Sequence, residues 1–456
     1  MPWGFSETRQ LAAARRVFEH VAAVAEIPFS VRLWDGTIVP LGRETGDDAY
    51  VAISGPGVLG SLLRRPTLDN LFRHYVTGGI DIRGSDLIAC MEAARRIKKE
   101  GNLRLRDLRR GFPWSATVPL LLAGRDRISV QHESAADGSG TGPAARDDKA
   151  LVQFHYDASN DFYALFLDRE MVYSCAYFTD WSNSLNQAQQ DKLDIICRKL
   201  RLQPRERFLD IGCGWGALLC HAARHYGVQA HGVTLSQAQH DYARDKIERL
   251  GLGDRVTVAL CDYMSLDGSY DKIASIGMYE HVRIANYERY FKKMRSLLSD
   301  GGIFLNHGIT RRNKRDVRKF GKISAGKQVI LKYIFPGSEL DHIGHTLQVM
   351  ESSGFEVHDV EGLRLHYGRT CRLWHDRLVA HREEAIASVG PELYRMWVAY
   401  LAGVTGAFDR GPLHVFQTVA GKRSSDGTSV LPPTRDDLYR TATPHEGEAA
   451  PRRTVA

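Results

Sequence analysis

Three groups of residues in this 456-residue sequence have the types and spacing that bond-making chemistry needs. The first is Phe208–Ala217, F-L-D-I-G-C-G-W-G-A, where an apolar run with one acid, Asp210, breaks into Gly212, Gly214 and Gly216. Glycine has no Cβ, so such a turn lets the backbone approach a ligand closely before a helix begins. The dinucleotide fingerprint spaces its last two glycines further apart and places its acid about 20 residues later. That argues against a nicotinamide oxidoreductase, and the lack of a following Gly-Lys-Ser/Thr argues against a phosphate-binding loop. The second group is Glu280-His281 within S-I-G-M-Y-E-H-V, and the third is His307 within Asn306-His307-Gly308-Ile309. A carboxyl and an imidazole ending neighbouring strands can together position a small molecule and manage a proton.

The elements that must hold these groups follow from apolar patterning. Strands are expected at Arg207–Ile211, Ala230–Thr234, Val256–Leu260, Lys272–Ile276 and Gly302–Asn306, with helices at Ala217–Tyr226, Gln237–Leu250 and Ile284–Leu298 between them. This alternation predicts an α/β fold with a doubly wound parallel sheet, whose ligands sit at the carboxyl ends of the strands. An acid two residues before G-x-G-x-G resembles motif I of class I S-adenosylmethionine (SAM) methyltransferases. At the same edge, Thr234 and Gln239 stand where such enzymes usually place an acid for the ribose, and Asp262-Tyr263 can hydrogen-bond to and stack on an adenine. Upstream, two further helices are expected at Asp157–Phe166 and Gln187–Leu200.

Residues 1–115 read as a smaller α+β domain: a helix over Met1–Ala25, a hairpin over Phe29–Leu41 turning at Asp35-Gly36, short strands at Tyr50–Ile53 and Ile80–Ile82, and helices at Gly57–Arg65, Thr67–Val76 and Ser85–Lys99. Residues 116–150 read as a linker, since His132–Arg146 cannot supply a core. The catalytic domain is expected over 151–425, and 426–456 as a disordered tail.

Composition is that of a globular protein, with 43% apolar and 25% charged residues. No apolar run reaches the roughly 18–20 residues of a spanning helix, and Met1–Gln10 lacks the order of a signal peptide. Seven scattered cysteines without a C-x-x-C pair indicate reduced thiols, neither a zinc site nor a disulfide framework, and hence a cytoplasmic location. The net charge of +7 is concentrated in Arg95–Arg110 and Arg311–Lys322. Such clusters fit a solvated face or an anionic surface, lipid or nucleic acid.

Further motifs sharpen the resemblance. Motif I, G-V-T-L-S-Q-A-Q from Gly232, S-I-G-M-Y-E-H-V and L-N-H-G-I resemble the cyclopropane-fatty-acyl-phospholipid synthases and the related mycolic acid cyclopropane synthases. So do His155-Tyr156-Asp157, Asn160-Asp161-Phe162, the run Tyr173-Ser174-Cys175-Ala176-Tyr177-Phe178, Ala188-Gln189-Gln190 with Lys192, and Lys332-Tyr333-Ile334-Phe335-Pro336-Gly337. The match spans about Gln153–Gly421, and residues 29–87 resemble the family's N-terminal domain more loosely. In this family Thr commonly replaces the ribose acid, as at Thr234.

The resemblance implies methyl transfer from SAM to the cis double bond of an unsaturated phospholipid acyl chain. Attack leaves a carbocation, which aromatic faces stabilise, and loss of a proton from the new methyl closes a cyclopropane ring. It implies a bound bicarbonate as base, held at Cys175, Glu280, His307, Ile309 and Tyr367, with Tyr173, Ser174, Asp210, Gly212, Gly214, Gly216, Thr234, Gln239, Asp262 and Tyr263 around the cofactor. No metal is implied. Nothing beside Cys175 in sequence activates a thiolate. It further implies peripheral association with the inner face of a phospholipid membrane, served by the basic clusters, with Tyr333–Phe335 as an apolar lid or as core packing, and it permits a homodimer. A nucleic-acid or small-molecule methyltransferase is the more remote alternative; the basic clusters permit the former, and the lack of N-P-P-[YF] after the fourth strand counts against it. Two departures stand out: Arg283 follows E-H-V where many relatives have Gly, and Val404 stands where many carry Cys. They leave a methyl-branched or methylene product as the alternative outcome.

Overall fold

The computed structural model describes residues 5–25, 27–42, 45, 49–100, 110–123, 128–133, 159–316, 320, 322–423 and 426–439. His155–Asp157 and residues 134–150 lie outside these, as does the tail beyond 439.

The catalytic region is a seven-stranded sheet in the order β10-β11-β9-β8-β5-β6-β7. Its strands are β5 (Arg207–Ile211), β6 (Gln229–Thr234), β7 (Val256–Leu260), β8 (Tyr270–Ile276), β9 (Leu298–Arg311), β10 (Phe355–Gly362) and β11 (Leu413–Lys422). The first five pair in parallel, and β11 runs antiparallel to both β9 and β10. Near-continuous apolar strands are those covered on both faces. Helices Leu185–Leu200 and Ala217–Tyr226 bury Leu193, Ile196 and Leu219 on one side, while Tyr287–Leu297 and Ile343–Ser352 bury Phe291, Met294 and Met350 on the other. This is the class I SAM-methyltransferase fold.

The N-terminal sheet, in the order β2-β1-β3-β4, holds β1 (Ser30–Arg32), β2 (Ile38–Pro40), β3 (Tyr50–Ile53) and β4 (Ile80–Arg83). The helices Glu7–Val24 and Pro56–Arg64 close its core around Ala14, Val31, Leu33 and Leu59.

Two boundaries differ from the sequence reading. The stretch 116–123, read as the start of a linker, is helical over Trp114–Leu121 and belongs to the N-terminal core, with Leu120 fully buried. Beyond it, Val130 is buried and Glu133 bonds Arg73, so 128–133 is also packed. The start of the stretch read as a disordered tail returns to the catalytic domain: Val430 and Leu431 pack beside its core, and Arg201 pairs with Asp437 at 2.7 Å. The first stretch is an apolar run, Ala116–Ala123, that the polar residues after it mask, whereas Val430 and Leu431 are a few apolar residues inside polar sequence that find a nearby surface.

Lys332–Phe335 joins the two regions. Tyr333 is buried against Phe72 and its hydroxyl donates to Asp69 at 2.8 Å, while Lys332 bonds Glu133 at 2.8 Å. Of the two readings of Tyr333–Phe335, packing is the one the structure bears out. No helix among the described residues is long and apolar enough to cross a membrane.

Candidate active site

A cavity of about 320 Å³ opens at the carboxyl ends of β5 to β8. It is floored by the glycine turn, where Gly212 and Gly214 have φ of +74° and +54°, a region that only glycine enters without strain. The turn is tied to the neighbouring strand because the N–H groups of Gly212 and Cys213 both donate to the Val233 carbonyl. Asp210, Thr234, Gln239, Asp262 and Tyr263 all line the cavity, as do Tyr173 and Ser174 from the segment before Leu185–Leu200. The Thr234 hydroxyl donates to Gln239 Oε1 at 2.8 Å, so the two act as one polar unit. Gly216 differs from expectation: it lies behind the lining, opening helix Ala217–Tyr226, where a Cβ would come within 3.1 Å of Ala243.

In the sequence Lys192 stands out only as part of a motif. It lines the cavity and its ammonium donates to Ser174 Oγ at 2.9 Å. Burial pushes Asp210 up, opposed by the charge of Lys192, and pushes Lys192 down, opposed first by Asp168 and less strongly by Cys175 and Asp210. Asp210 Oδ1 is buried without a partner. Opposite charges lining one cavity complement an amino acid's ammonium and carboxylate.

Beside this cavity, β8 ends at Ile276, and the Gly277 N–H makes the last backbone bond to β9, onto the His307 carbonyl. The chain then turns through Tyr279–His281, and the side chain of Glu280 takes over the role of the missing strand. Its Oε1 accepts the Ile309 N–H at 2.6 Å. Gly308 makes this approach feasible, because a Cβ there would lie 2.9 Å from the Tyr279 ring. Burial raises the Glu280 carboxyl to about 7 despite the opposing Ile309 bond, and Oε2 is left without a partner. His307 is buried too, with Nδ1 3.2 Å from Gln417 Nε2 and Nε2 unpartnered. Burial, then the charges of Lys192 and Lys199, hold its pKa down near 3, so the ring is neutral. Two orphaned buried atoms near one strand end are costly unless something completes them.

Tyr367, on helix Arg364–Ala380, stacks on Phe408 at 4.6 Å, and burial holds its phenol well above the usual range, so it is protonated. Together with Tyr173, Trp374 and Trp397 it forms an aromatic wall, with Tyr173 5.1 Å from Trp374. The Cys175 thiol is fully buried, and burial raises its pKa, so it is a protonated packing group. Ile309 contributes its N–H, and that N–H bonds Glu280. Among the described residues no cluster suited to a metal is found. Gln417 and Lys199, which support His307, carry no signal in the sequence that separates them from ordinary core residues.

The fold and the glycine-floored cavity define a SAM-dependent methyltransferase. Residues 144–418 match the family model described as mycolic acid cyclopropane synthetase, and the chain belongs to that family. A probable fatty acid methyltransferase of Pseudomonas putida is 36% identical over 416 residues, covering 91% of this chain and 97% of that one. Cyclopropane mycolic acid synthase 1 of Mycobacterium tuberculosis is 35% identical, over 60% of this chain and 97% of its own. Among solved structures, the cyclopropane synthase MmaA2 of Mycobacterium tuberculosis superposes with a TM-score of 0.58 at 33% identity, covering 60% of this chain and 98% of that one. A mycolic acid cyclopropane synthase complexed with SAH and CTAB gives 0.57 at 35%, covering 60% and 97%.

Proposed function

We propose that this protein transfers a methylene carbon from SAM to the cis double bond of an unsaturated phospholipid acyl chain and closes a cyclopropane ring, with bicarbonate as the base. The observation that carries this reading is the pair of orphaned buried atoms, Glu280 Oε2 and His307 Nε2; neither residue lines the methyltransferase cavity, but Met278 and His281 on either side of Glu280, and Ile276 opposite His307, do.

When bound, SAM supplies an electrophilic methyl and bicarbonate a proton acceptor. The residues suit both. Asp210 and the Lys192–Ser174 pair offer opposite charges to the amino-acid end of the cofactor, Thr234 and Gln239 offer polar groups to its ribose, and Asp262 with Tyr263 borders the adenine position. Glu280, once ionised, accepts a hydroxyl at Oε2, and His307 donates from Nε2, which together complement a hydrogen carbonate ion. An alkene is a weak nucleophile, so exclusion of water and alignment carry most of the rate. The aromatic wall from Tyr173 to Tyr367 presents ring faces to the positive charge that develops on the acyl chain.

The protein works at a phospholipid surface, on the inner face of the membrane. Supporting this, Arg312, Lys314, Arg315 and Lys322 are exposed next to the exposed Ile323. On the N-terminal domain, Trp114, Val118 and Leu122 follow one another at four-residue intervals, with exposures of 59%, 42% and 44%. A Trp-led apolar stripe flanked by the exposed arginines Arg64, Arg65 and Arg110 suits the bilayer interface.

The test is mass spectrometry of acyl chains after incubating the protein, methyl-labelled SAM and monounsaturated phospholipid vesicles. One added CH2 with the double bond lost to a ring is the expected result. The same carbon with the double bond retained would assign the methylene-forming alternative, in keeping with Val404 in the aromatic core. No transfer to any phospholipid would overturn the reading.

A further inference from the structure

We propose that Gln417 is a positioning residue that fixes the tautomer of His307, its amide being oriented in turn by Lys199, so that His307 presents a permanent Nε2–H to the anion of the reaction. The inference rests on the reading of Glu280 and His307 given above, but the tautomer is measurable without it.

The register of the sheet builds the row. Glu361 on β10 stands opposite Gln417 on β11, and Gln417 opposite His307 on β9. Directly opposed residues share a face of a sheet, so these three side chains lie in line across it. Lys199, at the end of helix Leu185–Leu200, reaches down onto this row. It contacts Glu361 and donates to Gln417 Oε1 at 2.7 Å, with Asp359 at 3.8 Å. The Tyr177 hydroxyl donates to the other oxygen of Glu361 at 3.1 Å.

Donor and acceptor types then leave one solution. An ammonium only donates, so the Gln417 atom facing Lys199 must be the oxygen. The amide nitrogen therefore faces His307, and it too only donates. Nδ1 of His307 must accept and carries no proton. In a neutral imidazole the proton then resides on Nε2. That nitrogen is fully buried and unpartnered, a hydrogen-bond donor held ready by a buried amide with no exposed surface. A donor held in this way pays no reorganisation cost when an anion arrives, which is the advantage of preorganised polar sites.

Histidine-labelled ¹⁵N full-length protein tests this by long-range ¹H–¹⁵N correlation, with His307→Gln identifying the resonance by difference. The expected signal is a neutral ring protonated at Nε2 and unchanged from pH 6 to 8. Gln417→Glu keeps a partner for Lys199 but places an acceptor against Nδ1. The expected result is a proton on Nδ1, with the KM for bicarbonate raised at least about tenfold and the KM for SAM unchanged. A wild-type ring protonated at Nδ1 alone would overturn the proposal even if the variant does not fold, as would a Gln417→Glu protein whose ring keeps the wild-type tautomer. The expected tautomers in an enzyme indifferent to bicarbonate would support the relay and overturn the anion reading instead.

Discussion

Glu280 bonds the backbone of Ile309 where strand β8 has run out, one oxygen on the N–H at 2.6 Å and the other left unpartnered. A side chain thus completes the sheet edge and offers a reactive face at the same point. In Glu280→Gln, the amide can satisfy Ile309 only with its oxygen, which turns an NH2 donor into the site in place of an acceptor. The expected outcome is a loss of about 10²–10⁴-fold in kcat, with SAM binding by calorimetry within a factor of two. Full activity in this variant would remove Glu280 from the chemistry.

The pH dependence follows from the same carboxyl. Burial holds its pKa at about 7, so below that pH it is protonated and has no free acceptor for a hydrogen carbonate hydroxyl. Activity should rise with pH through about 7, at fixed bicarbonate concentration. His307, held near 3, adds no limb above pH 5. The residual activity of Glu280→Gln should lack the limb at 7, and its persistence there would assign it to another group.

Gly308→Ala should be damaging at a distance. Its Cβ would sit 2.9 Å from the Tyr279 ring, which is itself stacked on Tyr287 at 4.4 Å and bonded to Thr346. Relief requires moving the turn that carries Glu280. Overpacking of this sort costs about 1–3 kcal/mol, and thermal unfolding should report it together with a fall in kcat.

Arg283 adopts φ +65° and ψ 139°, a left-handed conformation that glycine enters freely and other residues enter at a cost. This is the position at which the sequence departs from the E-H-V-G pattern, and the arginine Nε is buried without a partner. Arg283→Gly should therefore stabilise the protein by about 1 kcal/mol, measured as a higher midpoint in chemical denaturation. A lower midpoint would show that the arginine side chain contributes more than its backbone costs.

Vesicle co-sedimentation should separate the two parts of the proposed membrane face. Binding to anionic vesicles should weaken as salt is raised, because exposed charges are screened. Trp114→Ala should lower the binding that remains at high salt while leaving SAM affinity unchanged. Binding insensitive to both salt and Trp114 would place the membrane face elsewhere.

Much of the site was legible because its backbone is local. Asp210 and the glycines declare themselves within ten residues, and β5, β6 and β8 are largely buried runs bounded by turns, with β7 a more exposed edge strand. The strand bearing His307 continues past the expected end at Asn306 to Arg311, because β11 pairs with it over that length. β10 and β11 were not foreseen, since charged and polar residues interrupt both and their pairing spans distant parts of the chain. Gln417 could not be read for the same reason: its role exists only through the register that sets it opposite His307. The packing of Val430 and Leu431 was hidden in polar sequence, where two apolar residues are too few to mark an element.

The contact of Tyr333 with Asp69 has a consequence for how the chain can be divided. Residues 151–456 expressed alone would leave Lys332 without Glu133, the Tyr333 hydroxyl without Asp69, and the flank formed by Val329, Ile334 and Met396 without Phe72 and Val76. A fragment with that flank bare would be sticky and prone to self-association. For this chain the N-terminal domain is thus a cover as well as an appendage.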